Sequence, residues 1–264
     1  MMPPEAEEFF ASDALSESAQ LVSKLTIITS NVDGLGHYPQ LRADERMKRI
    51  IHRLENELGG REAFHSCSAV LLFQEVTDCM YAVLNSALRN KDWALYICTK
   101  TSFDYFLVTA VSPVLRAHVS KVRSLLFPNS SQGRHYISVT VANWCVTNIH
   151  AESNAPYVTP RLSRDRRARQ FGILANKYVH DPHVCHVVAG DFNMQHGEEE
   201  SFSLEHWSEA NSANMSVTYE NKYHRVIYDR CFYRAPSGQM LVQDEHGVVA
   251  GFWYSGTGKL SDHQ

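Results

Sequence analysis

The chain has no paired-cysteine motif. Its six cysteines, Cys67, Cys79, Cys98, Cys145, Cys185 and Cys231, are scattered, with no C-x-x-C among them. Such spacing offers neither a zinc knuckle nor a disulfide framework and reads as a reduced, intracellular protein with free thiols. Cytosol and nucleus are both compatible with it. Long apolar runs are missing too. Nothing approaches the roughly 20 residues of a membrane span, and the N-terminus carries acids instead of a basic, apolar signal peptide. Charge of one sign is scarce: 25 Lys and Arg against 29 Asp and Glu leave a net charge of -4. That argues against holding nucleic acid by bulk charge and leaves a local basic groove open. There is no repeat and no obvious linker. What is present is 264 residues, 44% hydrophobic and 20% charged, enough for one large domain or two small ones with a useful core.

Residues 1–23 are acidic and rich in small side chains, which predicts a mostly disordered leader. Order is expected from Lys24 in the strand "KLTIITSN". "RADERMKRIIHRLENELGG" places Met47, Ile50, Ile51, Leu54 and Leu58 on one helical face, and its glycines stop the helix. "AVLLFQE" reads as a strand buried on both faces, "CMYAVLNSALRN" as a helix, and "WALYICTK" and "YFLVTAVSPVL" as strands. "HYISVTVANWCVTNIH" reads as a hairpin turning at Asn143. "RLSRDRRARQFGILANKYV" is a predicted helix with Leu162, Phe171, Leu174 and Tyr178 inward, followed by the strand "VCHVVAG". "VIYDRCFYR" and "GVVAGFWYS" are later strands. Strand pairs alternating with a few helices predict a single-domain α/β fold, a four-layer αββα sandwich of two mainly antiparallel sheets flanked by helices.

The strands end in a recurring way. The first closes at Asn31, the second at Glu75, the hairpin at His150, and the next at Asp191 with Asn193 two residues on. A later strand holds Asp229, and the chain closes on Asp262 and His263. Singly, each has an ordinary explanation. Asp191 and Asn193 follow a glycine, as turn residues do. Glu75 suits a helix cap, His150 a backbone partner, and Asp229 an ion pair with Arg230. Together they would form a polar cluster if the strand ends share one edge, and strand-end loops are where rigid scaffolds carry reactive groups. Two other segments draw the eye. "HDPHVCH" packs ligand-type residues closely, but Pro182 breaks a helix and Cys185 alternates away from His186, so it reads as a helix-to-strand turn. The arginine run in "RLSRDRRARQ" could track a DNA backbone, yet it reads first as the solvated face of an amphipathic helix.

In this order, Asn31, Gln74-Glu75, His150, Gly190-Asp191-x-Asn193, Asp229 and Ser261-Asp262-His263 resemble the endonuclease/exonuclease/phosphatase superfamily of metal-dependent phosphoesterases. The resemblance runs from about Lys24 to the end and implies a catalytic domain over 24–264. "NVDGLG", "FQEV", "HAES" and "YDRCFYR" are similar to the branch of 5′-tyrosyl-DNA phosphodiesterases. It implies a hydrolase of the 5′-phosphotyrosyl bond between DNA and a trapped topoisomerase tyrosine, acting in DNA repair and leaving a 5′-phosphate. Glu75, with Asp262 and Asn31, would hold Mg²⁺, with Mn²⁺ able to substitute. Asp191 would deprotonate the attacking water, Asn193 would fix it, and His263 and His150 would face the phosphate oxygens, with Asp229 orienting His263. Arg134, Tyr105, Phe106, Ser153 and Tyr219 would bind substrate. The implied partner is a single-stranded 5′ DNA end bearing a tyrosyl or peptide adduct, met by a monomer in the nucleus or cytoplasm, with no membrane.

The pattern departs from the family in four places. Gln195 stands where a basic residue is usual, and Thr218-Tyr219 replaces Thr-Trp. "GKLSDHQ" lacks the aromatic-proline lead into S-D-H, and relatives continue into a last strand, which implies that this strand is missing after Gln264. Two alternatives stand beside the first reading. One is a sibling hydrolase: an abasic-site endonuclease, a deadenylase or a lipid or inositol phosphatase. The other is an inactive DNA-binding or adaptor protein.

Overall fold

The computed structural model describes residues 8–10, 22, 24–34, 42–98, 103–128, 130–178, 184–195, 197–202, 207–210, 219–220, 225–226, 228–235, 253–254 and 258–259. In chain order the elements are β1 (Glu8–Phe10), β2 (Thr26–Asn31), α1 (Ala43–Glu57), α2 (Arg61–Ser66), β3 (Ala69–Val76), α3 (Asp78–Arg89), β4 (Ala94–Ile97), β5 (Phe106–Val111) and α4 (Pro113–Arg116). β6 (Val119–Leu126), β7 (His135–Val141), β8 (Trp144–His150), α5 (Pro160–Tyr178) and β9 (Cys185–Asp191) follow. After a 3₁₀ turn at Glu199–Ser201 come β10 (Ser208–Glu209), β11 (Tyr219–Glu220), β12 (Arg225–Val226), β13 (Asp229–Arg234), β14 (Trp253–Tyr254) and β15 (Gly258–Lys259). β1 falls in the segment read as a leader, most of which lies outside the described residues.

Two sheets carry the fold, in the orders β2-β3-β5-β4 and β1-β6-β7-β8-β9-β13-β10. Only β2/β3 and β8/β9 pair in parallel within them; the other pairs are antiparallel. The alternation of side chains along each strand sorts the core into layers. Val187 and Ala189 of β9 face the first sheet, in a cluster that holds Val70, Val108, Ile137 and Val146 together with Met47 and Ile50 of α1 and Leu84 of α3. Val188, between them, faces a second cluster with Phe171 and Leu174 of α5, Phe192 and Phe232. The layers are therefore α1/α3, sheet, sheet, α5, the expected αββα sandwich.

The structure corrects several local readings. "SPVL" leaves the strand: Pro113, whose missing N–H costs nothing at a helix start, opens α4. β6, "VSKVRSLL", is a strand that the pattern did not announce, because its half-buried residues include Lys121 and Arg123. Leu162 faces solvent at 44% exposure, while Arg167 on the same helix is buried. Arg167 spends its charge on Glu198, at 2.9 and 2.5 Å, and on the Glu152 carbonyl at 2.9 Å. The arginine run is thus partly an interior ion pair and not wholly a solvated face. The six cysteines are all free thiols. Among the described residues, no helix is long and apolar enough to cross a membrane.

Candidate active site

Strand direction explains why the polar ends meet. β2 and β3 run in parallel, as do β8 and β9, so Asn31, Glu75, His150 and Asp191 each lie at a C-terminal end. β13 runs the opposite way, so its first residue reaches the same edge: Asp229 pairs with Asp191. Local backbone then aims the groups. Between Phe73 and Val76 the β3/β5 register slips, and Glu75 sits there at φ 57°. A bulge re-aims a side chain in this way, and the left-handed conformation of a non-glycine residue costs on the order of 1–3 kcal/mol that the surroundings must hold. Gly34 packs so closely that an added Cβ would run into the Glu75 carbonyl. Gly190, at φ 145°, leaves no room for a Cβ against the Ile149 carbonyl, which explains the glycine just before Asp191.

The Asn31 amide nitrogen donates to Glu75 Oε1 at 3.2 Å and to Asp191 Oδ2 at 2.9 Å, while its oxygen accepts the Asp33 N–H at 3.0 Å. Asn31 thus spaces two carboxylates with the two hydrogens of one amide. His150 Nε2 lies 3.6 Å from each of those same oxygens. Asp191 Oδ1 accepts the Asn193 N–H at 2.7 Å, and the Asn193 amide donates to the Ala151 carbonyl at 3.1 Å. Asp191 is therefore both buried and oriented from two sides. A buried Asp33–Arg46 pair, in which Arg46 also donates to the Asp33 carbonyl, ties the loop after β2 to α1. Beneath the edge, Gln74 donates to Asn148 at 2.8 Å, and Asn148 donates to the Phe73 and Val108 carbonyls at 3.2 and 3.0 Å. These bonds link the two sheets just under the Glu75 bulge.

A second wall holds Arg134. Its NH1 lies 2.6 Å from both ring nitrogens of His150, and its NH2 donates to Ser153 Oγ at 3.2 Å. The guanidinium carbon stands 5.4 Å from the centre of the Tyr105 ring, a cation–π distance. The Tyr105 ring is 5.8 Å from that of His150. Burial pushes the Tyr105 hydroxyl pKa up from its ordinary value, against the pull of Arg134. Gln132 closes this wall: its carbonyl accepts the Tyr105 hydroxyl at 3.3 Å, and its side chain bonds Ser153 and Arg134. Tyr105, Phe106, Arg134 and His150 line a small cleft. Phe106 is buried and packs edge-on to Tyr81, so it forms a floor and not a free face.

Of the residues singled out from sequence, Asn31, Glu75, His150, Asp191 and Asn193 come together, joined on one side by Arg134, Tyr105 and Ser153. Asp229 borders them through its register with Asp191. Asp262 and His263 lie outside the described residues, and Tyr219 is described only as part of β11. Gln195, in place of a basic residue, donates to the Asn193 carbonyl and to the Tyr228 hydroxyl. Arg230 pairs with Glu199 and Glu209 at 2.7 and 3.0 Å. Sequence reasoning missed Gln132 and Glu152. Glu152 carried the one available signal, a carboxylate two residues after His150 in "HAES".

Donor atoms of Glu75, His150 and Asp191 lie within 4.8 Å of one another. Two carboxylates drawn onto one amide gain from a shared cation, so the donor set fits a divalent metal.

The sequence matches no protein-family model and no curated protein. Solved structures do match in shape. TDP2 from C. elegans superposes with a TM-score of 0.63 at 22% identity, over 80% of this chain. This chain spans 64% of the length of that structure. TDP2 from D. rerio with a single-stranded DNA product gives a TM-score of 0.68 at 16% identity, over 90% of this chain and 94% of the other. ANGEL2, a 2′,3′-cyclic phosphatase, gives 0.55 at 12% identity, over 80% of this chain and 83% of the other. At these identities the likeness establishes the fold, shared with TDP2 and its structural kin.

Proposed function

We propose that the protein is a Mg²⁺-dependent phosphodiesterase that hydrolyses the 5′-phosphotyrosyl bond between DNA and a trapped topoisomerase tyrosine, leaving a 5′-phosphate. The observation that carries this reading is the meeting of Asn31, Glu75, His150 and Asp191 at one sheet edge, with Arg134 against His150. It sits on a fold shared with a TDP2 solved with a single-stranded DNA product.

Phosphodiester hydrolysis needs a base for water, positive charge for the phosphate and relief for the leaving group. Asp191 is the base, since its two orienting bonds hold the carboxylate in one pose. Asn193 fixes the water. Arg134 and His150 donate to the non-bridging oxygens, with Ser153 beside them. Glu75 would be the principal ligand of Mg²⁺, which favours few carboxylates and retains water; Asn31 and Asp262 would complete its surroundings, and Mn²⁺ would substitute. The bound metal supplies positive charge to the phosphate. Asp229 would orient His263 toward the same oxygens. A phenol leaves more readily than a sugar alcohol, because tyrosine has a pKa of about 10, so little acid assistance is needed. Tyr105 and Tyr219 supply aromatic faces for single-stranded bases. In this reading residues 24–264 form the catalytic domain, which works as a monomer in DNA repair, in the nucleus or cytoplasm.

A second reading is a sibling phosphoesterase acting on another phosphodiester. Gln195 favours it, because the usual basic residue is replaced, and the shape likeness extends to ANGEL2. A panel of 5′-phosphotyrosyl, 3′-phosphotyrosyl, abasic, 2′,3′-cyclic and poly(A) substrates with Mg²⁺ separates the two. The proposal expects the 5′-phosphotyrosyl strand to be cleaved fastest; preference for any other arm would replace it with the sibling reading.

A further inference from the structure

We propose that Glu152 is a positioning residue that sets the phosphate-facing wall of the site by fixing residues 130–134; this rests on the phosphodiesterase reading above. Glu152 is fully buried two residues beyond His150. Its Oε2 accepts the Ser130 hydroxyl at 2.7 Å. Its Oε1 accepts the Ser131 N–H at 3.0 Å, the Ser131 hydroxyl at 2.5 Å and Arg166 of α5 at 3.1 Å. The backbone is held as well: its N–H donates to Gln170 at 2.9 Å, and its carbonyl accepts Arg167 at 2.9 Å.

The consequence runs through one hydroxyl. Ser130 Oγ spends its proton on Glu152 and accepts the N–H groups of Gln132 at 3.2 Å and Arg134 at 2.9 Å. A hydroxyl has one donor and two acceptor sites, so an acceptor fixed at Glu152 turns both lone pairs toward those two N–H groups. Gln132 and Arg134 are the residues that contact Tyr105, Ser153 and His150. The path from the Glu152 carboxylate to His150 is thus two side chains and a short length of backbone. Burial alone would raise the carboxyl pKa, but the hydroxyls of Ser131 and Ser130, the Ser131 N–H and the charge of Arg134 outweigh it and hold the group below its ordinary range. The acceptor stays ionised at neutral pH.

The test uses the full chain and two readouts. Amide hydrogen exchange is followed in the unmutated protein, Glu152→Gln and Glu152→Ala. Initial rates on bis(4-nitrophenyl) phosphate with Mg²⁺ are followed in the same set, with Arg134→Ala and the double variant added. Glu152→Ala should lose protection at the Gln132 and Arg134 amides while β7, β8 and β9 keep theirs. Its kcat/KM should fall by about 10²-fold or less, the scale of a small misplacement, with Glu152→Gln restoring most of it. The double variant should be no slower than Arg134→Ala alone. Unchanged exchange at residues 130–134, protection lost alike across β7–β9, or additive effects in the double variant would overturn the proposal. Should Glu152→Ala fail to fold, Ser130→Ala must show the same local loss of protection. If the unmutated protein cleaves no phosphodiester, the functional reading fails while the exchange data still decide the positioning role.

Discussion

Two parallel strand pairs end in a carboxylate, and the two carboxylates live differently. Asp191 closes β9 at 1% side-chain exposure, over a glycine, with Asn31 and Asn193 each donating to one of its oxygens. Glu75 nears the end of β3 on a bulge, at φ 57° and 15% side-chain exposure, and shares the Asn31 amide and the nearby His150 Nε2 with its counterpart. The sheltered group is oriented; the exposed group can reach a ligand. Under the proposed function this contrast would divide the labour, since a base needs one fixed pose and a metal ligand needs access.

The sharpest way to break this contrast is to neutralise each group in turn. Asp191→Asn keeps the shape but can accept only one of the two orienting N–H groups, and should lower turnover by roughly 10²–10⁴-fold, the usual worth of a general base, with the Mg²⁺ concentration for half-maximal rate little changed. Glu75→Gln should shift that concentration upward by about tenfold or more, since losing a charged contact costs roughly 1.5–3 kcal/mol. Metal titrations of initial rate read both. Matching responses from the two variants would erase the distinction.

A smaller effect tests the backbone that enforces it. Gly190→Ala forces a side chain into a left-handed conformation and against the Ile149 carbonyl, and should cost roughly 1–3 kcal/mol in urea unfolding. A cost near zero would show that the β8/β9 edge is looser than described. The smallest effect is pH-dependent. The folded-state pKa of Glu152 is depressed below the ordinary 4.5. Its contribution is therefore complete above that value and lost as pH falls through the lower folded pKa. Melting temperature should drop more steeply with acid in the unmutated protein than in Glu152→Gln; parallel curves would remove Glu152 as a source of acid sensitivity.

Much of this was legible in the chain itself. Met47, Ile50, Ile51 and Leu54 lie on the buried face that their spacing assigns, and "AVLLFQE" is buried from Ala69 to Gln74, with Glu75 half-buried. Asn31, Glu75, His150 and Asp191 stood out because apolar strands do not otherwise keep ending in polar groups. β6 was not legible, since half-buried positions tolerate Lys121 and Arg123 and blur the alternation. Neither was the burial of Arg167, whose partner Glu198 is 31 residues away. The wall of the site was hidden for the same reason. Ser130, Glu152 and Arg166 belong to a loop, a strand exit and a helix, and only the tertiary fold brings them together.

The most direct test of the account is the release of tyrosine from a 5′-phosphotyrosyl single strand, followed first in EDTA and then with Mg²⁺ restored. No release is expected in EDTA, and rapid release with Mg²⁺, leaving a 5′-phosphate. Full activity in EDTA, or none under either condition, would contradict it.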